Sequence, residues 1–198
     1  MRGGKTLRFE GTIKKVKNKY QLLNGSRSIS FIALNSNILH FLEGNSKLMV
    51  GNAGWSYSLN NDKPAISSEF SFEPASAVFT DSLVFQGRTP CKIPGLEKAG
   101  TTCYKLKWDI VMYPGAENSS FGEFRLYGTK WRAQEPMQGY WKIIKGKEER
   151  ILYSFFEKNN VHLFTLLRAG DDIVYFTDDD GNPLVGNEDF SYSLNRKN

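Results

Sequence analysis

The sequence has few of the residues that enzymes and metalloproteins use for chemistry. Its 198 residues include two histidines, His40 and His162, and two cysteines, Cys91 and Cys103. It contains no nucleophile elbow, H-E-x-x-H pair or glycine-rich phosphate loop. We therefore expect no catalytic residues, no cofactor and no enzymatic activity, and we expect both histidines to have structural roles.

Long apolar runs and calcium loops are missing as well. No stretch approaches the ~18–20 apolar residues of a membrane-spanning helix, and the first twelve residues lack the apolar core of a signal peptide. The acidic run Asp178–Asp180 before Gly181 does not have the ligand spacing of a calcium loop, so it predicts a hairpin turn. Membrane association is expected only through an anchor outside this chain.

Acidic residues are scarce in the first part of the chain. Residues 1–60 hold nine Lys or Arg and two acids, whereas residues 76–198 hold 16 of each. The basic residues cluster at Lys14, Lys15, Lys17 and Lys19. Such a cluster suits phosphates or anionic lipid, but the solvated face of a strand and its turn is the favoured interpretation. No nucleic-acid-binding motif accompanies it, so no nucleic-acid partner is expected.

Alternation with a period of two residues dominates the rest of the sequence. Ile29, Phe31 and Ala33 lie on one face of a strand, with Ser28, Ser30 and Ile32 on the other. Alternate residues from Tyr104 to Met112 are apolar, and Lys105, Lys107 and Asp109 lie between them. Turn signals such as Asp-Gly and Gly-Asn recur every 8 to 12 residues. These patterns predict an all-β antiparallel meander, most simply a closed β-barrel.

One phrase occurs twice. "LMVGNAGWSYSLN" ends at Asn60 and "PLVGNEDFSYSLN" ends at Asn195, and eight of twelve positions from Met49 are identical at an offset of 135. At the same offset Ser28–Ser46 aligns with Leu163–Gly181 without a gap. A period this long indicates duplicated domains rather than a solenoid.

Further back, Arg8–Lys15 matches Arg125–Arg132 once the later copy gains 18 residues. Nothing before Arg8 corresponds to the strands expected between residues 83 and 114. We therefore predict an incomplete β domain over residues 1–60, the second half of a barrel. This domain is followed by a linker over residues 61–80 and by a complete barrel over residues 81–198.

A barrel that lacks its opening strands exposes open sheet edges. Further sequence upstream in the natural protein is the favoured source of the missing strands. Strands from a neighbouring chain, as in a homodimer through the incomplete domain, are an alternative. An edge strand from residues 61–80 is another, although the two prolines there favour a linker.

The two cysteines are twelve residues apart. One disulfide between Cys91 and Cys103 would stabilise the fold by roughly 3 kcal/mol through its effect on the unfolded chain. It is favoured over a metal site, because no C-x-x-C pair or intervening His or Met is present. A disulfide implies an oxidising compartment.

Four segments of the later chain carry a resemblance to a known family. They are "FQGRTPCKIPGL", "CYKLKWDIVMY", "GYWKI" and "DDIVYFTDDDGNPLVGNEDFSYSL". Over about 110 residues the chain resembles the N-terminal domain of the NlpE lipoproteins, the copper-resistance and envelope-stress family. The resemblance implies a lipocalin-like barrel in the cell envelope, either periplasmic or anchored at the outer membrane. The matching positions are Gly87, Pro90, Cys91, Gly95 and Leu96 in the opening, Gly139 to Trp141 in the middle, and Asp180 to Pro183 near the close.

The chain departs from the family at the C-x-x-C pair. Cys91 is the only position that matches it, because Pro94 stands where the second cysteine is found. Copper binding therefore does not carry over and no metal site is predicted.

Two hypotheses for the function remain. The first is a non-enzymatic NlpE-like envelope protein that senses or binds an unidentified ligand or protein partner. The second is a lipocalin-type carrier that holds a small apolar ligand in its barrel. The sequence does not identify the ligand-binding residues.

Overall fold

In a computed structural model of the chain, the described residues are 8–61, 63, 79–94, 103–116, 119–128, 135–146 and 149–197. Within them the chain is all-β, with a five-stranded sheet and a closed eight-stranded antiparallel barrel. The predicted all-β class and the closed antiparallel barrel are confirmed. No helix that is long and apolar enough to cross a membrane occurs among the described residues.

The first part of the chain forms an open antiparallel sheet whose strands follow one another in sequence order. Two-residue turns join its first three strands, and Gly25 has a φ of 56° at the second turn, a conformation that glycine adopts without a steric penalty. The five strands are β1 (Thr12–Val16), β2 (Lys19–Asn24), β3 (Arg27–Ala33), β4 (Ile38–Leu42) and β5 (Ser58–Asn60).

The second part of the chain forms the barrel. Each strand pairs with the next, and the last strand pairs with the first to close it. The eight strands are β6 (Leu83–Thr89), β7 (Leu106–Pro114), β8 (Phe121–Gly128), β9 (Met137–Lys145), β10 (Ile151–Glu157), β11 (His162–Arg168), β12 (Ile173–Phe176) and β13 (Ser193–Arg196).

Aromatic side chains fill the barrel. The alternation predicted for β7 is present, since Trp108, Ile110 and Met112 are at most 3% exposed. The Trp108 ring lies 4.6 Å from that of Phe176, between ring centroids. Further buried rings pack on one another around them, among them Phe124, Trp141, Tyr153, Phe155 and Phe164. Burial of each such side chain stabilises the fold by about 1.5–3 kcal/mol.

The predicted correspondence of Arg8–Lys15 with Arg125–Arg132 can be compared with the strand order. The described residues of the later segment belong to β8, whereas β1 is the fifth strand from the end of the sheet, as β9 is in the barrel. Gly11, which precedes β1, and Gly139 of β9 also have similar surroundings. A Cβ at Gly11 would collide with the carbonyl oxygen of Leu23, and a Cβ at Gly139 with that of Phe156.

The predicted domain boundaries fall between these elements. The sheet lies within residues 12–60 and the barrel within residues 83–196. Most of the predicted linker, residues 62 and 64–78, lies outside the described residues, as do Gly95 and Leu96 of the NlpE-like opening.

Candidate functional site between the sheet and the barrel

One face of the sheet packs on the outside of the barrel. Leu34 and Ile38 of the sheet form an apolar cluster with Leu167, Ala169 and Ile173 of the barrel. Leu34 and Leu167 are fully buried. The contact brings β4 and β5 against β12 and β13, and it determines where a cleft opens beside it.

The cleft has a volume of about 1030 Å³. Its floor is apolar, with Ile32, Leu34, Leu48, Val50 and Ile173 among the residues that line it. Its rim is charged, and the charged residues are Lys19, Glu43, Lys47, Asp171, Asp172, Arg196 and Lys197. A cleft that combines apolar side chains with polar groups able to orient a ligand is a candidate small-molecule site.

Two of the carboxylates on this rim are paired with arginines. Asp171 lies 3.0 Å from Arg168, and Asp172 lies 3.6 Å from Arg196. These ion pairs partly neutralise the acidic side of the rim. The ammonium groups of Lys19, Lys47 and Lys197 add positive charge to the cleft.

Two asparagines join the sheet to the barrel reciprocally, next to the cleft. Asn195 Oδ1 accepts a hydrogen bond from the backbone N–H of Gly51 at 2.8 Å, and its Nδ2 donates to the Trp55 carbonyl at 3.2 Å. Asn60 Oδ1 accepts from the N–H of Gly186 at 3.1 Å, and its Nδ2 donates to a neighbouring carbonyl at 3.4 Å. Asn60 and Gly186 lie 135 positions from Asn195 and Gly51, respectively. The carbonyl that Asn60 Nδ2 contacts is that of Asn187, and the carbonyl of its counterpart Asn52 lies 3.5 Å from Asn195 Nδ2.

The same contacts explain why glycine stands at both backbone positions. A Cβ at Gly51 would collide with the Trp55 carbonyl oxygen and lie 3.1 Å from Asn195 Nδ2. A Cβ at Gly186 would collide with the Phe190 carbonyl oxygen and lie 2.8 Å from Asn60 Nδ2. Only glycine lets the asparagine approach this closely.

A chain of hydroxyl groups crosses the contact. Ser191 lies 2.7 Å from Ser193 Oγ, which lies 2.6 Å from Ser56 Oγ of the sheet. The chain continues from Ser56 to Ser58 at 3.1 Å, and from Ser58 to the Tyr175 hydroxyl at 2.6 Å. Each hydroxyl group forms a hydrogen bond with the next one, so the contact between sheet and barrel leaves none of them without a partner.

The hydroxyl chain ends at His40, which is fully buried. Nε2 lies 2.9 Å from the Met49 carbonyl oxygen, and Nδ1 lies 2.7 Å from the Tyr175 hydroxyl. Because a carbonyl only accepts, Nε2 carries the proton and Nδ1 accepts from Tyr175. Burial lowers the pKa of His40 to about 4, and the bond to Met49 opposes this shift. Burial raises the pKa of Tyr175, with its bond to Ser58 acting in the opposite direction.

These groups hold the fold together and are closed to a substrate. His40 is neutral near pH 7, and its ring nitrogens are both engaged by the protein. The second histidine, His162, is exposed and contacts Thr165 at 3.0 Å. The structural role expected for His40 agrees with these contacts.

The structure places the other sequence candidates away from the cleft. Cys91 and Cys103 form the predicted disulfide, with their Cα atoms 5.9 Å apart. Asp178 accepts hydrogen bonds from the N–H groups of Asp180 and Asn182, as expected for a turn. Among the described residues no group of three His, Cys, Asp or Glu side chains is placed to hold a metal ion.

Sequence reasoning found the repeated phrase but missed what its polar residues do. Asn60, Asn195 and the serines of both phrases are identical at the offset of 135, and these residues form the contact between the sheet and the barrel. The sequence did contain an indication of this role. Both phrases have small polar side chains at alternate positions, which places them on one face of each strand, and a buried face of this kind needs hydrogen-bond partners.

We expect Asn195→Ala to lower the free energy of unfolding by about 1–3 kcal/mol, because Asn195 is buried and the half-buried N–H of Gly51 loses its acceptor. Asn60→Ala should cost less, since Asn60 is only half-buried. Urea unfolding followed by circular dichroism measures both changes. Asn45→Ala, in an exposed turn, is the control and should change the stability by less than about 0.5 kcal/mol. Equal losses at Asn45 and Asn195 would contradict the role of the contact.

No protein-family model, no curated protein and no solved structure matches this chain.

Proposed function

We propose that the chain is a non-enzymatic binding protein of the cell envelope, of the NlpE-like kind that its sequence resembles, and that the cleft holds its ligand. The observation that carries the proposal is the cleft itself, with about 1030 Å³ of space above an apolar floor and inside a charged rim. The disulfide supports placement in an oxidising compartment such as the periplasm. By the same resemblance, the role is one in the copper or envelope-stress response, without a copper site in this chain, since the C-x-x-C pair is incomplete.

The proposal includes a duplicated origin for the two units, with the barrel as a lipocalin-like complete copy and the sheet as an incomplete one. Strand registers support it. Phe31 pairs with Phe41 as Leu166 pairs with Phe176, and Ile38 pairs with Asn60 as Ile173 pairs with Asn195. The reciprocal asparagine contacts also support a pseudo-two-fold arrangement, since each copy uses the same residues to hold the other.

The lining of the cleft indicates an amphipathic anion as the ligand. Ile32, Leu48 and Val50 can cover an apolar body. Lys47 and Lys197 on the rim can attract an anionic end group, while the nearest aspartates are already paired with arginines. A medium-chain carboxylate has this chemistry.

Calorimetric titration with laurate tests the proposal. We expect laurate to bind the full chain, and dodecylammonium, with the same chain and the opposite charge, to bind at least tenfold more weakly. Lys47→Glu combined with Lys197→Glu should weaken laurate binding at least tenfold. The matched control is Lys14→Glu with Lys15→Glu, which makes the same change of charge on β1, away from the cleft. Laurate binding that both double variants reduce equally, or no binding at all, would contradict the proposal.

A carrier that holds its ligand inside the barrel is the second hypothesis, and the packing gives it less support. Buried rings occupy the interior, and the Phe155 and Phe164 centroids lie only 4.7 Å apart. A ligand inside the barrel would have to displace such rings. Laurate binding that is insensitive to both double variants would favour this hypothesis.

A further inference from the structure

The side of the sheet that faces away from the barrel carries a row of apolar residues. Cross-strand partners share a face of a sheet, and the register pairs Tyr20 with Phe31 and Phe31 with Phe41. The Phe31 and Phe41 rings lie 4.6 Å apart, and the Tyr57 ring lies 6.1 Å from that of Phe41. We call this side the outward face. It comprises Ile13, Tyr20, Leu22, Ile29, Phe31, Ala33, Leu39, Phe41, Tyr57 and Leu59.

Residues at the matching positions of the barrel are its core. Tyr57 and Leu59 are 40% and 46% exposed, whereas Tyr192 and Leu194, 135 positions later, are 6% and 0% exposed. In the barrel, β6, β7 and β8 complete the wall around this face. The outward face therefore has the composition of a barrel interior. In the part of the chain that the structure describes, no strands corresponding to β6, β7 and β8 cover it.

The edge of the sheet beside this face is also open. No strand among the described residues pairs with the outer edge of β1, and all five of its residues are exposed. Ile13 on β1 is 67% exposed. An unpaired edge presents a row of backbone N–H and C=O groups that another strand can bond.

Charge indicates which kind of strand fits. The described residues 8–61 carry Lys or Arg at seven positions and only two acids, Glu10 and Glu43. Lys14 and Lys15 lie on β1 itself, and Lys15 Nζ lies 5.2 Å from the centre of the Tyr20 ring on the outward face. Two copies of β1 side by side would bring like charges together, which disfavours self-pairing. A lipid surface could meet the charge but would leave the backbone groups of the edge without partners.

We propose that the β1 edge and the outward face form a docking surface for an extended segment of a partner protein, in which apolar and acidic side chains alternate. The segment adds as a strand to β1, and its apolar side chains cover the outward face, on which Lys15 also lies. Its carboxylates point to the opposite face of the sheet, where they meet Lys14. Backbone hydrogen bonds supply affinity in this mode, and alternate side chains supply specificity. The surface is distinct from the cleft.

The test uses the full chain and a capped nonapeptide in which valine or phenylalanine alternates with glutamate. We expect binding by fluorescence anisotropy that weakens as salt is raised. A peptide with scrambled order, and one N-methylated at alternate residues so that it cannot bond a strand edge, should each bind at least tenfold more weakly. These controls change only the peptide, so they do not depend on the folding of a variant.

Protein variants locate the surface. Lys14→Glu with Lys15→Glu should weaken binding of the glutamate peptide at least tenfold and should bind the lysine version of the peptide instead. Lys47→Glu with Lys197→Glu, at the cleft, is the matched control and should leave binding within twofold. Light scattering should show a monomer.

Failure of the glutamate peptide to bind at 1 mM, or equal binding of its N-methylated form, would overturn the proposal. So would a dimer that Lys14→Glu with Lys15→Glu strengthens, or binding to phosphatidylglycerol vesicles without binding to the peptide. Laurate binding at the cleft is independent of all these outcomes, so the two proposals can fail separately.

Discussion

Residues 79–198 expressed alone should fold cooperatively, while residues 1–75 alone should aggregate or remain unfolded. The reason is the difference in how the two units are closed. The barrel pairs both edges of every strand and contains its own aromatic core and disulfide. The sheet is not closed, since β1 and β5 each pair on one side only, and Leu34 and Ile38 are buried in a cluster that the barrel completes. Without that contact each exposed side chain forfeits about 1.5–3 kcal/mol of burial.

Circular dichroism, urea unfolding and light scattering on the two fragments and the full chain check this expectation. The isolated barrel will expose the patch that contacts the sheet, around Ile173 and Tyr175, so its solubility should be lower than that of the full chain. Adding the two fragments together should not be needed for the barrel to fold. A cooperatively folded monomer from residues 1–75 would mean that the sheet is a complete domain.

Much of the fold follows from alternation and turn chemistry. Residues 104–112 and the run around Phe31 were assigned to strands from their period alone, and both assignments are confirmed. The offset of 135 also predicted strand pairing, since a gap-free match of two hairpins implies the same turn length and therefore the same register. The structure has that register at β3–β5 and β11–β13.

Alternation and the repeated phrase did not predict the first strand of the sheet or the cleft. The gap-free match at the offset of 135 begins at Ser28, so the residues before β3 have no such guide to their place in the sheet. The contact between the sheet and the barrel is a tertiary event, and periodicity carries no information on which faces meet. Seeing "S-Y-S-L-N" twice therefore did not reveal that the two phrases touch through Ser56 and Ser193. The cleft exists only because of that docking.

His40 is expected to make the stability of the fold fall in acid. In the fold its pKa is about 4, against an ordinary value of 6.5, because the ring is buried between Tyr175, Ser58 and the Met49 carbonyl. The groups bonded to the ring are all uncharged, so none compensates for an imidazolium. The folded state therefore holds the neutral ring, while the unfolded chain takes up a proton as the pH falls through 6.5.

The sign follows from this difference. A lowered pKa in the fold means that the unfolded chain binds more protons, so the stabilisation is complete above about pH 6.5 and is lost as the pH falls towards 4. The loss from pH 7.5 to pH 4 should be about 3 kcal/mol, at about 1.4 kcal/mol for each pH unit between the two pKa values. This is a substantial part of the stability of a typical domain.

His40→Gln isolates the effect, because a glutamine amide can still donate to Met49 and accept from Tyr175 without titrating. We expect the free energy of unfolding of the wild type, relative to this variant, to decline by about 3 kcal/mol between pH 7.5 and pH 4. Urea unfolding at half-unit intervals of pH measures it. Carboxylates that titrate over the same range cancel in the difference. His162→Gln, on the exposed surface, is the matched control for loss of an imidazole and should change the free energy of unfolding at pH 7.5 by less than about 0.5 kcal/mol. A pH-independent difference between the wild type and His40→Gln would mean that His40 is not held neutral in the fold.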